Sequence, residues 1–291
     1  MKTLTNGILT IKVSPLGAEL TSIVNNSIGR EYLWQADPTY WKRHSPILFP
    51  IVGGVWEGRY YHEGQEYQLS QHGFARDREF ELILDLPTEV RYRLTSDTDT
   101  LKVYPFPFEL EIGYKLNGNK VEVIWEVRNT GTKEMYFQIG AHPAFYYPDF
   151  DISTTERGYF AFDKKDGLEY LLIHEKGCVS PDDTYPLQLV NGLLPIYTNT
   201  FDKDALILQD SQVTKVALLD NKKTPFVTLH FSAPVVGLWS PPQKNAPFVC
   251  IEPWYGRCDR VGYSAEFKDR DWMNQLKPAE EFSSSYEIEI G

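Results

Sequence analysis

Residues 108–129 read FELEIGYKLNGNKVEVIWEVRN. The second half of this stretch alternates apolar with charged residues, so one face of an extended chain carries Val121, Val123, Trp125 and Val127. Asn117-Gly118 lies between the two halves, and this dipeptide is the strongest short-range signal of a hairpin turn. The pattern therefore predicts an antiparallel hairpin of residues 108–116 and 121–129, with one buried face.

Similar strand patterns recur along the chain. They predict further strands at 8–13, 18–24, 60–62, 65–69, 213–219, 226–231, 235–239, 248–252 and 285–290. Helical periodicity is scarce, and short helical turns are expected only near 38–41 and 269–273. No repeat or Gly/Ser-rich linker divides the chain. The sequence predicts an all-β fold, a large antiparallel β-sandwich with few short helices, in one domain of residues 1–291.

Composition narrows the classes of partner. The 291 residues carry a net charge of −11 without any basic block, which disfavours nucleic acid and anionic membranes and favours a small neutral substrate. Three cysteines do not suggest a disulfide framework, and Cys250 and Cys258 lack a zinc-ligand spacing. Residues 1–12 do not resemble a signal peptide, and no apolar run approaches the roughly 18 residues of a membrane span. A cytoplasmic location is expected.

Three short motifs place an ionisable side chain beside glycine, proline and aromatic residues at predicted strand ends. His72 lies in SQHGFAR (70–76), His142 in GAHPAF (140–145), and Glu252 in IEPWYG (251–256). Loops at strand ends are where functional sites are usually built. Each motif alone is as compatible with a structural role, but the combination indicates a site.

Five ordered motifs together resemble a known family. They are WQADP (34–38), HSPILFPIVG (44–53), QHGFAR (71–76), GAHPAF (140–145) and IEPW (251–254). This series resembles the galactose mutarotase-like aldose 1-epimerases, most closely their LacX-type subgroup, over nearly the whole chain. The resemblance implies a β-supersandwich that needs no cofactor and no metal, and that interconverts the α and β anomers of a sugar.

The resemblance also implies roles for individual residues. His142 matches the general acid that protonates the ring oxygen, Glu252 the general base, and His72 a histidine that hydrogen-bonds the sugar. Arg76 and Asp204 match substrate-contacting positions, and Arg43 and Trp254 are further substrate-binding candidates. The glycine-rich His-Gly-Gly stretch and the Gly-Arg-x-x-Asn segment of the galactose-specific branch are missing, so the preferred sugar is left open.

Acid-base chemistry suits this pair of residue types. Opening a hemiacetal ring requires a proton to leave O1 and another to reach O5, and a positioned acid and base each contribute about 10²–10⁴-fold. The expected pH profile is bell-shaped, with the acid limb assigned to the carboxylate and the alkaline limb to the imidazole. A nearby Glu252 charge raises the pKa of His142 whereas burial lowers it, and the sequence leaves the balance open.

Other functions remain open at this point. His72, His142 and Glu252 could form a two-histidine, one-carboxylate metal site, as in a cupin-type sugar isomerase. A non-catalytic carbohydrate-binding protein could use Trp34, Trp41, Trp56 and Trp254 as a stacking platform. A glycosidase would need a pair of carboxylates. A hexose 6-phosphate is a further candidate substrate, with its phosphate bound by Arg43, Arg59 and Arg76. The protein is expected to be a monomer or homodimer.

Overall fold

The computed structural model describes residues 1–291 and is built almost entirely of β-strands. The 25 strands are, in chain order, β1 Lys2–Thr5, β2 Leu9–Val13, β3 Leu20–Asn25, β4 Arg30–Glu31, β5 Ile47–Leu48, β6 Arg59–His62, β7 Gln65–Gln68, β8 Glu81–Asp85, β9 Glu89–Thr95, β10 Phe108–Asn117, β11 Lys120–Asn129, β12 Met135–Phe137, β13 Ile139–Ala141, β14 Ala144–Tyr146, β15 Glu156–Phe162, β16 Glu169–Ile173, β17 Val179–Pro186, β18 Leu193–Tyr197, β19 Leu206–Leu208, β20 Lys215–Leu219, β21 Pro225–Phe231, β22 Val235–Trp239, β23 Phe248–Tyr255, β24 Asn274–Leu276 and β25 Glu281–Ile290.

The predicted central hairpin is confirmed. Strands β10 and β11 pair antiparallel from Phe108 opposite Asn129 to Asn117 opposite Lys120. Gly118 in the turn has φ of +59°, a left-handed conformation that glycine adopts without steric cost. The four apolar side chains of β11 are fully buried and the intervening residues are less so, as the alternation predicts.

Two large antiparallel sheets form the body of the molecule. One has nine strands in the order β18-β15-β20-β21-β25-β11-β10-β9-β8, and the other has the order β17-β16-β19-β22-β23-β13-β5 with β14 also paired to β23. Strands β1 to β4 form a separate four-stranded sheet, and the pairs β12-β24 and β6-β7 stand apart. The predicted all-β antiparallel sandwich is confirmed.

The main apolar core of 64 buried residues lies between the two large sheets. Trp125 from the nine-stranded sheet and Ile251 from the eight-stranded sheet both belong to it. The rings of Trp125 and Tyr255 meet edge to face at 6.3 Å, which joins β11 of one sheet to β23 of the other. Each large apolar side chain buried here contributes roughly 1.5–3 kcal/mol.

Helices are few and short. The α-helix α1, Thr100–Val103, has four residues, and the remaining helical segments are 3-10 turns at Trp56–Gly58, Ala75–Asp77, Glu175–Gly177 and Phe267–Asp269. The helical turn predicted at 269–273 is wrong, since the 3-10 turn ends at Asp269. At 38–41 there is a hydrogen-bonded turn, with the amides of Tyr40 and Trp41 both donating to the carbonyl of Asp37. None of these helices has the length and hydrophobicity to cross a membrane.

Strand β23 has one face toward the main core and the other toward a separate surface of the molecule. Val249 and Ile251 point into the main core, whereas Cys250 and Trp254 belong to smaller apolar clusters on the opposite face. Because side chains alternate along a strand, Glu252 shares the face of Cys250 and Trp254. This face of the eight-stranded sheet is where the candidate site lies.

Candidate active site

A cleft of about 280 Å³ lies over this face of the eight-stranded sheet. This is close to the lower end of the volumes of small-molecule sites, roughly 300–1,000 Å³. Six of the predicted site residues line it, namely His72, Arg76, His142, Asp204, Glu252 and Trp254. Residues 180 positions apart in sequence therefore meet in one cavity, as the combined motifs predict.

Strand register brings His142 opposite Glu252. Strands β13 and β14 both pair with β23, with Gly140 opposite Trp254 and Ala144 opposite Cys250. His142 lies between these two pairs and therefore faces the middle of the same stretch of β23. Its Nε2 atom is 3.2 Å from Oε2 of Glu252. Both residues are buried, with 7% of His142 and 1% of Glu252 exposed.

Burial disfavours the charged form of both groups. It lowers the pKa of His142 to about 3, and the positive charge of Arg76 acts in the same direction. It also raises the pKa of Glu252 well above its usual range, and the nearby Asp204 charge adds to this effect. Burial is the largest cause of both shifts, and it favours the neutral form of each group. These directions favour a protonated Glu252 carboxyl and a neutral His142 imidazole in the free protein.

His72 is held as a hydrogen-bond donor. Its Nδ1 accepts a hydrogen bond from the amide of Gly53 at 3.0 Å. Burial lowers the pKa of His72 well below its usual range, so the ring is neutral and its one proton lies on Nε2. The imidazole edge that carries this proton is free to donate to a ligand. The rings of His72 and His142 lie edge to face, 5.6 Å apart.

Two arginines lie at one side of the cleft, and only Arg76 lines it. Its Nη2 donates to the carbonyl of Gln71 at 2.7 Å, while its Nε is buried without a hydrogen-bond partner. Arg43 donates a hydrogen bond to Asp77 at 2.8 Å. Burial is the main cause that lowers the pKa of Arg76 to about 10, and the positive charge of Arg43 is the second. Arg59 instead pairs with Glu57 and Glu66 and does not line the cleft.

Asp204 and Trp254 occupy other parts of the wall. One carboxylate oxygen of Asp204 accepts from the amide of Ala205 at 2.7 Å, which leaves the second oxygen available. The indole of Trp254 donates to the carbonyl of Ala141 at 3.2 Å. A side chain at Gly140 or Gly237 would collide with the Trp254 ring, so both glycines let the indole lie flat on the sheet.

Two further tryptophans complete the cleft: the sequence analysis named Trp41 only as a possible stacking platform and did not name Trp239. Trp41 lines it and stacks on His142, and Trp239 meets the same imidazole edge to face at 5.4 Å. Trp239 is the cross-strand neighbour of Cys250 on the face that carries Glu252. The sequence predicted the strand that contains Trp239. The face on which its side chain lies depends on how β22 pairs with β23, which the sequence pattern does not show. Of the other candidate platform residues, Trp34 is buried in an apolar cluster, and Trp56 contacts Lys176 outside the cleft.

Metal-ligating atoms gather at one point of the site. Donor atoms of His142, Cys250 and Glu252 all lie within 4.8 Å of one another, and the three residues are buried. This set differs from the predicted alternative, because Cys250 takes the place of His72. The Cys250 thiol is kept protonated, since burial and the neighbouring Glu252 raise its pKa well above the usual range.

Proteins with similar sequences belong to the family that the five motifs indicate. A family model described as Aldose 1-epimerase matches residues 1–289. The plasmid and chromosomal LacX proteins of Lactococcus lactis subsp. lactis are each 31% identical over 295 residues, covering 99% of this chain and 98% of their own.

Solved structures show the same fold. A galactose mutarotase related enzyme from Lactobacillus acidophilus has a TM-score of 0.92 and 32% identity, over 100% of this chain and 97% of its own. A galactose mutarotase-like protein from Lactobacillus casei has a TM-score of 0.94 and 29% identity over the full length of both chains. The resemblance drawn from the five motifs is confirmed, and this chain belongs to the aldose 1-epimerase family.

Proposed function

We propose that this protein interconverts the α and β anomers of an aldose by acid-base catalysed opening and closing of the sugar ring. The observation that carries the proposal is the buried His142–Glu252 pair, with its 3.2 Å contact at a cleft of suitable size. A carboxyl and an imidazole this close can take one proton and deliver another within a single catalytic cycle.

His142 and Glu252 together hold the same number of protons before and after the reaction. Passage of the Glu252 proton to His142, once the two side chains align in a hydrogen bond, gives a carboxylate and an imidazolium without change in total charge. The carboxylate then takes the O1 proton while the imidazolium gives its proton to O5, and the C1–O5 bond breaks to leave an aldehyde. Rotation about C1–C2 and the reverse transfers close the ring on the other face of the carbonyl.

The neighbouring groups suit a polyhydroxy substrate. The Nε2 proton of His72 can be donated to a sugar oxygen near the reacting carbon, and the free carboxylate oxygen of Asp204 can accept from a sugar hydroxyl. Trp254 presents an apolar ring surface on which sugar C–H groups can pack. Each step uses only side chains of this chain, so the proposed reaction needs neither nucleotide nor metal.

A phosphorylated aldose is the second candidate substrate. Arg76 and the adjacent Arg43 place two cations beside the cleft, with Asp77 as their shared counter-ion, and Nε of Arg76 makes no hydrogen bond. A phosphate on the far end of the sugar could accept from both, because guanidinium groups bind phosphate oxygens in a bidentate manner. A neutral hexose makes no use of this charge.

The test is to measure anomer exchange on a panel of free hexoses and hexose 6-phosphates. We expect catalysis above the spontaneous rate for at least one sugar, and its loss in Glu252→Gln. A preference for the phosphates that disappears in Arg76→Gln would identify the second class. Sugar binding without faster exchange would favour a carbohydrate-binding protein and contradict the proposal.

A further inference from the structure

A stack of aromatic rings begins in a buried apolar cluster beside the cleft and ends on the imidazole of His142. Trp34 and Phe248 stack at 4.6 Å and 25°, Phe248 and Trp41 at 5.9 Å and 26°, and Trp41 and His142 at 4.7 Å and 27°. Four rings are thus nearly parallel to their neighbours. Trp34, the first of them, belongs to the motif 34–38, to which the proposed reaction gives no role.

His142 lacks the usual means of fixing an acid-base histidine. The imidazole of such a residue is commonly oriented by a hydrogen bond to its second nitrogen. Here Nδ1 of His142 is buried without a hydrogen bond to any other residue, and only the backbone of His142 itself acts on the ring, in the direction of a raised pKa. The ring is instead enclosed by aromatic neighbours, with the face of Trp41 on one side and the edge of Trp239 near it.

We propose that Trp41 is a positioning residue, whose indole face holds the His142 imidazole at the angle from which Nε2 reaches both Glu252 and the sugar ring oxygen. This inference rests on the proposed function. The stack has a second consequence, since a protonated imidazole 4.7 Å from an indole is placed for a cation–π attraction. Trp41 therefore favours the imidazolium that the proposed reaction requires.

The motif at 34–38 holds Trp41 in place. Trp34 donates from its indole Nε1 to the carbonyl of Trp41 at 2.8 Å. The amide of Trp41 donates to the carbonyl of Asp37 at 3.0 Å, and the Asp37 side chain accepts from the amide of Thr39 at 2.9 Å. Both the amide and the carbonyl of Trp41 are therefore anchored by residues of this segment, and the Trp41 ring stacks on Phe248, which itself stacks on Trp34. This gives the motif a role at the site although its own residues do not line the cleft.

This arrangement also argues against Trp41 as a stacking platform for sugar. The imidazole of His142 stacks on one face of the indole, with ring centroids 4.7 Å apart, so a sugar cannot stack on that face without displacing the imidazole. A platform residue contributes to sugar affinity, whereas a positioning residue contributes to the rate once sugar is bound. The two roles therefore separate in steady-state kinetics.

The test compares Trp41→Leu with Trp41→Phe, and uses Trp56→Leu as the matched control outside the cleft. We expect Trp41→Leu to lower kcat by about 10- to 100-fold with KM nearly unchanged, because misplacement of a catalytic group by about 1 Å has effects of this size. Trp41→Phe keeps an aromatic face and should stay within about threefold of the parent protein. Trp34→Phe, which keeps the stack and loses the Nε1 donor, should give an intermediate loss.

A second readout does not depend on turnover. In the free protein the ring protons of His142 lie in the shielding region of the Trp41 indole, so their NMR signals should move downfield in Trp41→Leu and stay near the parent position in Trp56→Leu. Unchanged His142 signals, an unchanged kcat, or a rise in KM alone in Trp41→Leu would each overturn the proposal. If no sugar is turned over by any form while the signals move as expected, the positioning contact stands and the proposed function fails.

Discussion

Glu252 and His142 lie side by side in buried surroundings that disfavour both the carboxylate and the imidazolium. Burial raises the pKa of the carboxyl and lowers that of the imidazole, so the pair holds one exchangeable proton over the intervening pH range. The proton can lie on the Glu252 carboxyl, which leaves both groups neutral, or on His142, which gives a carboxylate and an imidazolium. The proposed reaction uses the second arrangement. The pair therefore acts as a unit, and loss of either member should disable it.

Glu252→Gln removes the base while preserving the size of the side chain. We expect a loss of about 10²–10⁴-fold in kcat, equivalent to ~2.7–5.5 kcal/mol, with normal folding because the residue is already neutral in the free protein. Steady-state kinetics and circular dichroism measure the two effects. A variant that folds and keeps near-normal kcat would remove Glu252 from the base role.

The pH profile of kcat/KM should be bell-shaped, with its limbs in the opposite order from the one expected from sequence. The active state has one proton on the pair. Acidification adds a second proton to His142, whose pKa is lowered to about 3, so the acid limb belongs to the imidazole. Rising pH removes the last proton, and because the pKa of Glu252 is raised, the alkaline limb belongs to the carboxyl.

Variants distinguish the two assignments. In the residual activity of Glu252→Gln the alkaline limb should be absent, whereas His142→Asn should retain it. If the alkaline limb instead disappears with His142→Asn and persists in Glu252→Gln, the imidazole is the higher-pKa group and the sequence-based order is right.

At the scale of elements, a tight turn at residues 70–73 delivers His72 to the cleft. The amide of Gly73 donates to the carbonyl of Ser70, and that of His72 to the carbonyl of Gly53. His72 itself has φ of +66°, a left-handed conformation that costs a residue with a side chain about 1–2 kcal/mol. Gly73 follows with φ of +70° and lies against the backbone of Phe49, where only glycine fits.

Gly73→Ala should therefore be strongly destabilising. An added Cβ would overlap the Phe49 carbonyl, and together with the left-handed backbone this should cost about 2–5 kcal/mol. Gly64→Ala is the matched control, since Gly64 has a similar φ of +74° but no atom within 4 Å of its Cβ position. We expect that variant to lose only about 1–2 kcal/mol. Equal losses in urea unfolding would show that the contact with Phe49 does not matter.

Local patterns predicted the strands with clear alternation or a clear turn signal, because these are properties of the chain itself, but they missed others such as β8, β9 and β15 to β18. The β10–β11 hairpin follows from its turn dipeptide and its apolar face, and β22 was predicted with its observed bounds. Contacts between distant segments could not be predicted in this way. Trp239 reaches His142 only through the register of β22 on β23, and Arg43 faces Asp77 across two loops. The meeting of His72, His142 and Glu252 was expected from the family resemblance rather than from any one motif.

At the scale of the molecule, the core between the sheets and the site on the outer face of one sheet are separate. Val249 and Ile251 hold β23 in the main core, while Glu252 and Trp254 line the cleft and Cys250 is buried on the same face of the strand. A rigid two-sided strand can thus keep catalytic groups buried without interrupting the core. The cleft holds potential metal ligands, but the proposed chemistry does not call on them.

Activity should accordingly survive a chelator. We expect full anomer exchange after EDTA treatment and dialysis, with no nucleotide added, because Glu252 and His142 supply both proton transfers. Loss of activity that a divalent metal restores, together with loss of that response in Cys250→Ala, would instead indicate a metal site formed by His142, Cys250 and Glu252.

Magnetisation-transfer NMR between the α and β anomeric protons of an aldose at equilibrium tests directly whether the protein catalyses anomer exchange. The measurement follows ring opening and closing itself, without a coupling enzyme. The parent protein should transfer magnetisation between the two signals well above the buffer rate for at least one free or phosphorylated hexose. His142→Asn and Glu252→Gln should both return the rate close to that of buffer. If the parent protein does not raise the exchange rate above that of buffer for any sugar of the panel, the proposed function is contradicted. If both variants exchange the anomers as fast as the parent protein, catalysis by His142 and Glu252 is contradicted.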